Sequence, residues 1–297
     1  MTVDLIVNPA SGPARRREPR SGRLRRVSES LRAHGVTIAR ATETSAIGDA
    51  ARAAIAARDA GSELVIVWGG DGTLNEAAGV LLGTGTRLGI VPGGSGNGLA
   101  RGLGLPLDVD AAVRVALEGR ARDIDTGSVD GRAFLNLAGV GFDASVADRV
   151  NTCNPHRGLW PYVAAIAREF RTFEMQRFSL ALDDTPPMAV DAHLVVVCNG
   201  QQYGHDARIA PEAAFDDGLL DVVAVPHITV MRLVRHGWRL FNGTIGSIPG
   251  VLTARARRIV VSHDRPLPVH LDGEVVRDGT TRVFEVHPRS LRVMVGR

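Results

Sequence analysis

The segment VIVWGGDGTLNEAAG, residues 65–79, runs from four apolar residues straight into a glycine-rich turn and then into a helix-favouring stretch. A buried strand that ends in Gly69-Gly70-Asp71-Gly72-Thr73, with a helix beginning near Leu74, leaves main-chain N–H groups and the positive end of a helix at one place. Glycines let the main chain approach phosphate oxygens, and Thr73 can cap the helix or donate to a phosphate. The segment therefore predicts an anion site, with a purely geometric tight turn as the alternative.

Asp71 is the unusual member of this turn. A carboxylate beside phosphates repels them unless a divalent cation or a transferable proton lies between the two. The presence of Asp71 therefore favours a catalytic role for this turn in addition to anion binding.

Two further glycine-rich turns follow strand-like runs. They are Asn8-Pro9-Ala10-Ser11-Gly12 and Pro92-Gly93-Gly94-Ser95-Gly96-Asn97-Gly98. Because ligands in open α/β sheets bind at the carboxyl ends of the strands, three such turns would line a single crevice. Neither turn fits the pattern G-x-G-x-x-G with an acidic residue about 20 positions later, so a nicotinamide enzyme is disfavoured.

The first half of the chain alternates strand-like and helix-like segments, which favours βαβ units and a parallel sheet. The predicted strands are Leu5–Val7, Thr37–Ala39, Leu64–Trp68 and Leu88–Val91. The predicted helices are Leu24–His34, Gly48–Ala60, Asn75–Leu82 and Val109–Glu118.

From about Ser128 the pattern changes to short strand-like runs separated by turns, which predicts an antiparallel sandwich. The runs are Ala133–Leu137, Phe178–Leu182, Ala192–Cys198, Leu220–Val225, Arg258–Val261, Val269–Leu271, Arg282–Val286 and Leu291–Val295, with helical candidates at Pro161–Phe173 and Thr229–Phe241. We therefore expect two domains, residues 1–127 of α/β type and residues 128–297 rich in β-strands, and the last strand is a candidate to return to the first domain.

Composition excludes several classes of function. The chain of 297 residues contains no lysine, which removes a Walker-type phosphate loop and a lysine Schiff base. Cys153 and Cys198 are too few for a disulfide framework or a zinc site. No apolar run is long enough to span a bilayer, and Asp4 lies where a secretory signal carries positive charge, so we expect a cytoplasmic protein.

Six motifs in this order resemble the diacylglycerol kinase catalytic family, which includes bacterial lipid kinases and sphingosine and ceramide kinases. The motifs are NPASG, GGDGTLNE, VPGGSGNGLARGLGLP, DTGSVDGRAFLNLAGVGFDA, APEAAFDDGLLDVV and HLDGE. The resemblance spans nearly the whole chain. It implies a Rossmann-like ATP-binding domain like that of NAD kinases, a β-rich domain for the lipid substrate, ATP between the two, and transfer of the γ-phosphoryl group to a lipid hydroxyl, as in phospholipid biosynthesis.

The resemblance also implies roles for particular residues. The implied ATP contacts are Asn8, Pro9, Ala10, Ser11, Gly12, Thr42 (in the segment after the second strand), Gly69, Gly70, Asp71, Gly72, Thr73, Leu74, Asn75 and Ser95. A structural Mg²⁺ would be held by Asp217 with the main-chain carbonyls of Ala214 and Leu219. Glu274 matches the proton acceptor, with Asp71 as the competing choice, and Asp125 matches a further acidic residue near the cleft. Many bacterial members carry Asp at the position of Gly98, so the acceptor lipid, diacylglycerol or a sphingoid-like alcohol, stays open.

Arginine is the remaining source of positive charge. Arg15-Arg16-Arg17 could assist phosphate binding or form a solvated surface run, and the lack of interleaved aromatic residues over 15–26 argues against nucleic acid. Gly158–Tyr162 with Phe170 and Phe173, and Arg232, Arg235 and Arg239 with His236, could contact the inner face of a membrane peripherally. Core packing and a solvated face explain the same residues. A homodimer is left open.

Three functions follow from these observations. The preferred one is an ATP- and magnesium-dependent lipid kinase. The alternatives are a kinase of a soluble acceptor such as NAD and a non-catalytic nucleotide-binding regulator.

Overall fold

The computed structural model describes residues 2–12, 22–142, 175–204, 206–226, 229–277 and 279–297. The chain divides into two compact units, residues 1–124 with 289–297, and residues 125–288. The division therefore falls a few residues before the expected boundary at 127, and residues 289–297 belong with the first unit. Helices and strands are numbered below over the described residues.

The first unit is built on a parallel sheet. Its strands are β1 (Thr2–Val7), β2 (Thr37–Glu43), β3 (Leu64–Gly69) and β4 (Arg87–Pro92), in the order β2-β1-β3-β4. The end of the long strand β18 (Thr281–Val295) lies parallel to β4, with Val293 opposite Leu88. The helices are α1 (Arg23–Ala33), α2 (Asp49–Asp59), α3 (Asp71–Gly79), α4 (Gly98–Gly102) and α5 (Val109–Glu118).

Strand β3 is buried along its whole length, which explains its unbroken apolar run, since a central parallel strand is covered on both faces. Helix α5 buries Val109, Ala112, Val113 and Ala116, a spacing that places all four on one helical face. Asp108 caps this helix by accepting a hydrogen bond from the N–H of Ala111 at 3.0 Å. The predicted βαβ architecture of this unit is confirmed.

The second unit contains two antiparallel sheets. The strands are β5 (Arg120–Val129), which begins in the first unit, β6 (Arg132–Phe134), β7 (Leu137–Gly141), β8 (Gln176–Leu182), β9 (Met188–Ala192), β10 (Leu194–Cys198), β11 (Gln202–Gly204), β12 (Ala207–Arg208), β13 (Leu220–Val225), β14 (Leu252–Ala256), β15 (Arg258–Ser262), β16 (Val269–Leu271) and β17 (Glu274–Val276). One sheet has the order β14-β13-β10-β7-β16-β17, and the other joins the start of β18 to β15, β8 and β9. Two short helices, α6 (Val230–His236) and α7 (Arg239–Asn242), precede a 3₁₀ turn at Ile245–Ser247.

The two sheets enclose one hydrophobic core. Phe178 and Phe284 contribute from one sheet, and Val195 and Val222 from the other. The second face of β10 is also covered, because Val196 belongs to a separate buried cluster. Burial on both faces explains why the run LVVVC is uniformly apolar rather than alternating. The predicted β-rich sandwich is confirmed.

Several predicted elements have different bounds. The strand expected at 133–137 is broken, because the main chain at Leu135 and Asn136 turns to donate N–H bonds to the Asp272 carboxylate, at 2.7 and 3.1 Å. The two strands expected at the C-terminus are one strand, β18, in which Arg289 adopts a positive φ of 49°. The helix expected at 229–241 divides between α6 and α7 at Gly237-Trp238.

Other elements were missed because of their polar or glycine-containing sequences. Strands β5, β9, β14 and β17 and helix α4 were not predicted, because each carries charged residues or glycines that resemble loop sequence. The helical candidate Pro161–Phe173, the aromatic segment 158–162, Cys153 and Arg15–Arg17 lie outside the described residues. Within the described part of the chain, no helix is long and apolar enough to cross a membrane.

Candidate functional site

Three glycine-rich turns meet at the carboxyl edge of the parallel sheet in the first unit. The N–H of Asn8, directly after β1, donates to the carbonyl of Trp68 in β3 at 2.8 Å. The N–H of Gly93, directly after β4, donates to the carbonyl of Gly69 at 2.8 Å. Residues 8–12, 69–75 and 93–97 therefore lie together, because their strands are hydrogen-bonded neighbours.

Close approach between the turns requires glycine. Gly12 has a φ of 92°, and a Cβ atom there would lie 2.7 Å from the carbonyl oxygen of Gly93. A Cβ atom on Gly94 would lie 2.8 Å from the Cα of Gly70. Side chains at these positions would separate the turns, so the glycines hold the main chains in contact.

The first turn is fixed by the side chain of Asn8. Its Nδ2 donates to the Thr73 hydroxyl at 2.8 Å, and its Oδ1 accepts from the N–H of Ala10 at 2.9 Å. The Ser11 hydroxyl donates to the Asn8 carbonyl at 2.9 Å. Asn8 therefore stabilises the first turn and links it to the second.

Helix α3 begins at Asp71 with a bare N-terminus. Its N-cap residue is Gly70, which has no side chain that could accept a hydrogen bond from the first turn of the helix. The first intrahelical bond runs from the N–H of Leu74 to the carbonyl of Gly70 at 3.0 Å. The N–H groups of residues 71–73 precede it and have no main-chain acceptor within the helix, although the N–H of Asp71 bonds to its own carboxylate. The positive helix end is suited to an anion.

The start of α3 bears on two expectations. Thr73 was expected either to cap the helix or to donate to a phosphate, and the first role is excluded, because Gly70 is the N-cap and Thr73 lies inside the first turn. Leu74 was expected among the ligand contacts, but its side chain is fully buried and its N–H is bonded within the helix. Leu74 therefore contributes to packing.

Asp71 joins the second turn to the third. Its Oδ1 accepts from the N–H of Gly98 at 2.8 Å, at the beginning of α4. Loss of hydration raises the pKa of Asp71, and backbone hydrogen bonds from Gly98 and Asn97 partly offset that rise. The carboxylate thus acts as a bridge between two turns.

The third turn is held by its own side chains. Asn97 has a φ of 52°, and its Oδ1 accepts from the Gly94 N–H at 2.8 Å while its Nδ2 donates to the Gly94 carbonyl at 2.9 Å. Nε of Arg101 donates to the carbonyl of Gly96 at 3.1 Å. Ser95 lies at the partly exposed tip of this preorganised turn.

Arg23 is a residue of this site that the sequence analysis missed. It is 8% exposed, its Nη1 donates to the Ser11 hydroxyl at 2.9 Å, and its guanidinium lies 5.3 Å from the centroid of the Trp68 ring. A fixed positive charge therefore lies directly against the first turn. No sequence pattern distinguishes Arg23, the first residue of α1, from the many other arginines of this chain.

Thr42, also expected to contact ATP, lies within β2 and not after it. It is opposite Ile6 of β1, close to the carboxyl end of both strands. The partly exposed β2 has a polar sequence, TIARATE, which shortened its predicted extent. Asn75 lies in the second turn of α3 and is partly buried.

In the second unit, Asp125 supports the turn that carries Asp217. Oδ2 of Asp125 accepts from the N–H of Gly218 at 2.7 Å, and the N–H of Asp125 donates to the carbonyl of Phe215 at 2.6 Å. Asp125 is 1% exposed. Two acidic residues assigned separate roles are therefore parts of one local structure.

The same turn contains the three residues expected to hold a structural Mg²⁺. Asp217 is exposed, and its Oδ1 accepts from the N–H of Leu219 at 3.0 Å. Its carboxylate and the carbonyls of Ala214 and Leu219 would offer Mg²⁺ oxygen ligands only, the type that this ion accepts with water completing the shell. The described residues contain no group of three or more His, Cys, Asp or Glu side chains arranged for a metal.

Glu274 is the first residue of β17, directly after a tight turn. Asp272 and Gly273 in that turn have φ values of 47° and 97°, and Glu274 is opposite Leu271 in the hairpin. The Asp272 carboxylate anchors the hairpin, and its bond to the Leu135 N–H is 2.7 Å long. The exposed Glu274 side chain is therefore carried on a rigid turn.

Two buried side-chain amides, those of Asn199 and Asn136, connect these parts of the second unit, and neither was predicted. Nδ2 of Asn199 donates to the carbonyls of Asp125 and Leu135, both at 2.8 Å, and Nδ2 of Asn136 donates to the carbonyl of Gln202 at 2.7 Å. The motifs around 125, 136, 199, 217 and 272 thus form one hydrogen-bonded network. Each amide lies at a strand end, where only the folded chain reveals its partners.

Both units of the chain match known protein families. Residues 2–129 match the family model of the diacylglycerol kinase catalytic domain, and residues 136–295 match that of the YegS C-terminal NAD kinase beta sandwich-like domain. A diacylglycerol kinase of Mycobacterium tuberculosis is 32% identical over 98% of this chain and 94% of its own length.

Two solved structures share the fold. A diacylglycerol kinase from Bacillus anthracis str. Sterne matches with a TM-score of 0.72 at 23% identity, over 99% of this chain and 97% of that one. An NAD kinase from Archaeoglobus fulgidus, in complex with ATP, matches with a TM-score of 0.54 at 14% identity, over 98% of this chain and 93% of that one. At these identities the structures show the fold alone, whereas the family models and the Mycobacterium relative show that the chain belongs to the diacylglycerol kinase family.

Proposed function

We propose that the chain is an ATP- and magnesium-dependent kinase that transfers the γ-phosphoryl group to the hydroxyl of a lipid, diacylglycerol or a sphingoid-like alcohol. The observation that carries this proposal is the meeting of three glycine-rich turns around the bare N-terminus of α3. Family membership supports the lipid as acceptor, and the ATP held by a neighbour of the same fold supports the nucleotide.

Phosphate binding in this chain is assigned to main-chain N–H groups and arginine. With no lysine available, the N–H groups at the start of α3 hold phosphate oxygens, and Arg23 supplies the fixed positive charge behind the first turn. Phosphoryl transfer demands positioning and charge stabilisation more than covalent chemistry from the protein, and rigid turns provide the positioning. A magnesium ion bound with the nucleotide supplies further charge neutralisation.

The two candidate carboxylates receive different roles. We assign proton acceptance to Glu274, because it matches the family's HLDGE motif and its side chain is exposed on an anchored hairpin. Asp71 is assigned to positioning, because its Oδ1 is already bonded to the Gly98 N–H. Asp217, Ala214 and Leu219 are the residues that would hold a structural magnesium. Asp125 would support their turn through its hydrogen bond from the N–H of Gly218.

The experiment is transfer of radioactive phosphate from γ-labelled ATP to a native lipid extract in detergent, followed by mass spectrometry of the product. Labelled lipid that forms only when both Mg²⁺ and extract are present supports the proposal. Labelled NADP formed from NAD, without labelled lipid, would establish the soluble-acceptor alternative. Tight ATP binding without transfer to either acceptor would establish the regulator instead.

A further inference from the structure

The segment 229–243 of the second unit presents an unusual surface. Met231, Trp238 and Phe241 are 76%, 55% and 62% exposed. Only Ile47, Ile55, Met175 and Met188 are comparably exposed large apolar residues elsewhere in the described chain, and they are scattered along it. Three large exposed apolar side chains that are this close in sequence mark a candidate interaction surface.

The inner side of the same segment is already packed. Leu240 contacts the cluster that includes Val196, Cys198 and Ile209. Trp238 and Phe241 are three residues apart on α7 and its N-cap, so they share a helical face, and that face is not buried against the unit. Their outward direction is therefore built into the fold.

The Trp238 ring is held in place by two contacts. Its Nε1 donates to the carbonyl of Arg235 at 3.0 Å, and the Arg239 guanidinium lies 5.1 Å from the ring centroid. Nη1 of Arg239 also donates to the Ser247 hydroxyl. An ordered tryptophan with a polar edge and an apolar body is suited to the boundary between lipid headgroups and acyl chains.

The segment itself carries charge of one sign, because no aspartate or glutamate occurs between Asp221 and Asp264. Arg235 is exposed, whereas Arg232 and Arg239 are partly buried. Nη2 of Arg232 donates to the carbonyl of Pro249 at 2.7 Å. The pKa of His236 is lowered, first by loss of hydration and then by these three arginines, which indicates that their charges converge there. Arg235 and Arg239 make no ion pair with another described residue.

We propose that residues 229–243 dock on the anionic surface of a lipid bilayer, with Met231, Trp238 and Phe241 entering the acyl boundary and the three arginines binding headgroup phosphates. This inference rests on the proposed function, because a kinase with a lipid acceptor must reach the bilayer. A second copy of the chain is a poorer occupant. A two-fold contact would place the same arginines against one another without acidic partners.

The test is co-sedimentation of the whole protein with vesicles, without ATP. Wild-type protein is expected to bind vesicles of phosphatidylcholine with phosphatidylglycerol much more tightly than vesicles of phosphatidylcholine alone. Arg235→Gln should lose about fivefold in affinity for the anionic vesicles, the effect of one arginine near such a surface. Trp238→Ser with Phe241→Ser should lose at least tenfold on the same vesicles.

Matched control variants distinguish docking through this surface from non-specific binding to vesicles. Ile47→Ser removes an 88% exposed apolar side chain from the first unit, and Arg265→Gln removes an exposed arginine from the second. Both variants should bind anionic vesicles like wild type. Lipids that carry a quencher in the upper acyl chain should reduce the tryptophan fluorescence of the wild type, and Trp238→Phe should remove most of that reduction.

Wild-type vesicle binding by the Trp238→Ser, Phe241→Ser double variant would overturn the proposal. So would a wild-type dimer in solution that this double variant dissociates without a change in vesicle binding. Because vesicle binding needs no turnover, a protein that docks through this surface and transfers no phosphate would overturn the proposed function and leave this inference standing.

Discussion

The Oδ1 atom of Asp71 accepts a hydrogen bond from the N–H of Gly98, 2.8 Å away, and this contact joins two of the three glycine-rich turns. Asp71 opens α3, and Gly98 opens α4. One carboxylate therefore sets the relative position of two helix starts. At residue 98 the partner of this carboxylate is the main chain, because glycine has no side chain to take part.

Replacing Asp71 should distinguish positioning from charge. Asp71→Ala removes the acceptor for the Gly98 N–H, and a small displacement of the turns should lower kcat/KM about 100-fold. Asp71→Asn keeps an oxygen acceptor and should retain clearly more activity than Asp71→Ala. Steady-state kinetics with ATP and lipid measures both. Equal losses in the two variants would mean that the negative charge itself, as a base or a magnesium ligand, is what the reaction needs.

The raised pKa of Asp71 predicts a pH-dependent stability. The pKa of an aspartate in an unfolded chain is about 3.9, and burial raises the pKa of Asp71 in the folded state above that value. Between those two pKa values the folded state binds more protons, so stability falls as pH rises, and the cost is complete above the folded pKa. Asp71→Asn lacks this slope. The Tm of the variant minus the Tm of wild type should therefore increase from pH 4 to pH 8; a constant difference would contradict the burial of this carboxyl.

Arg23 should matter for nucleotide affinity. Arg23→Gln removes the positive charge beside Ser11 and is expected to weaken ATP binding about 10- to 100-fold, because two charges a few ångströms apart near a protein surface interact by about 1–4 kcal/mol. Arg23→Lys should restore only part of this, since lysine cannot both stack on Trp68 and bond to the turn.

Isothermal titration with a non-hydrolysable ATP analogue measures the effect of Arg23. The control is Arg25→Gln, which removes an arginine with an 81% exposed side chain from the same helix and should leave affinity unchanged. Similar losses in the Arg23 and Arg25 variants would reduce the role of Arg23 to general positive charge.

Gly12→Ala tests the contact between the first and third turns. The new Cβ would lie 2.7 Å from the Gly93 carbonyl, so the turns must separate, and we expect about 1–3 kcal/mol of destabilisation together with weaker ATP binding. Gly61→Ala is the matched control, because Gly61 has a φ of 74° but no atom within 4 Å of the added Cβ. It should lose stability through backbone strain while ATP affinity stays at the wild-type value. Unchanged ATP binding in Gly12→Ala would show that the spacing of these turns is irrelevant to the nucleotide.

Glu274→Gln tests the proton acceptor. Because the side chain is exposed at the start of β17 and the hairpin is anchored by Asp272, the variant should fold normally. Loss of a general base should lower kcat about 10²- to 10⁴-fold with little change in ATP affinity. Rapid quench of a single turnover, with ATP binding measured in parallel, separates the two quantities. A near-normal rate would remove Glu274 from the mechanism.

The meeting of the three turns could be predicted because parallel strands place their carboxyl ends at one edge, and each turn follows a strand directly in the sequence. The extents of β2, β9 and β14 could not be predicted, because these partly exposed strands mix alanine and charged residues and so resemble loops in composition. The break in the strand expected at 133–137 depends on Asp272, a residue far along the chain, whose carboxylate draws the local N–H groups out of the ladder.

The sequence by itself determined the two domain types and the glycine-rich turns, because these depend on neighbouring residues. Its composition, which includes no lysine, determined that arginine and main-chain N–H groups must bind any phosphate. The tertiary structure decided which side chains serve those turns. Arg23 lies against Ser11, and Asp125 lies beneath Gly218, through contacts between residues distant in sequence. Such contacts depend on how strands and helices pack, and the energy that selects the packing comes from burial of the whole core rather than from any local pattern.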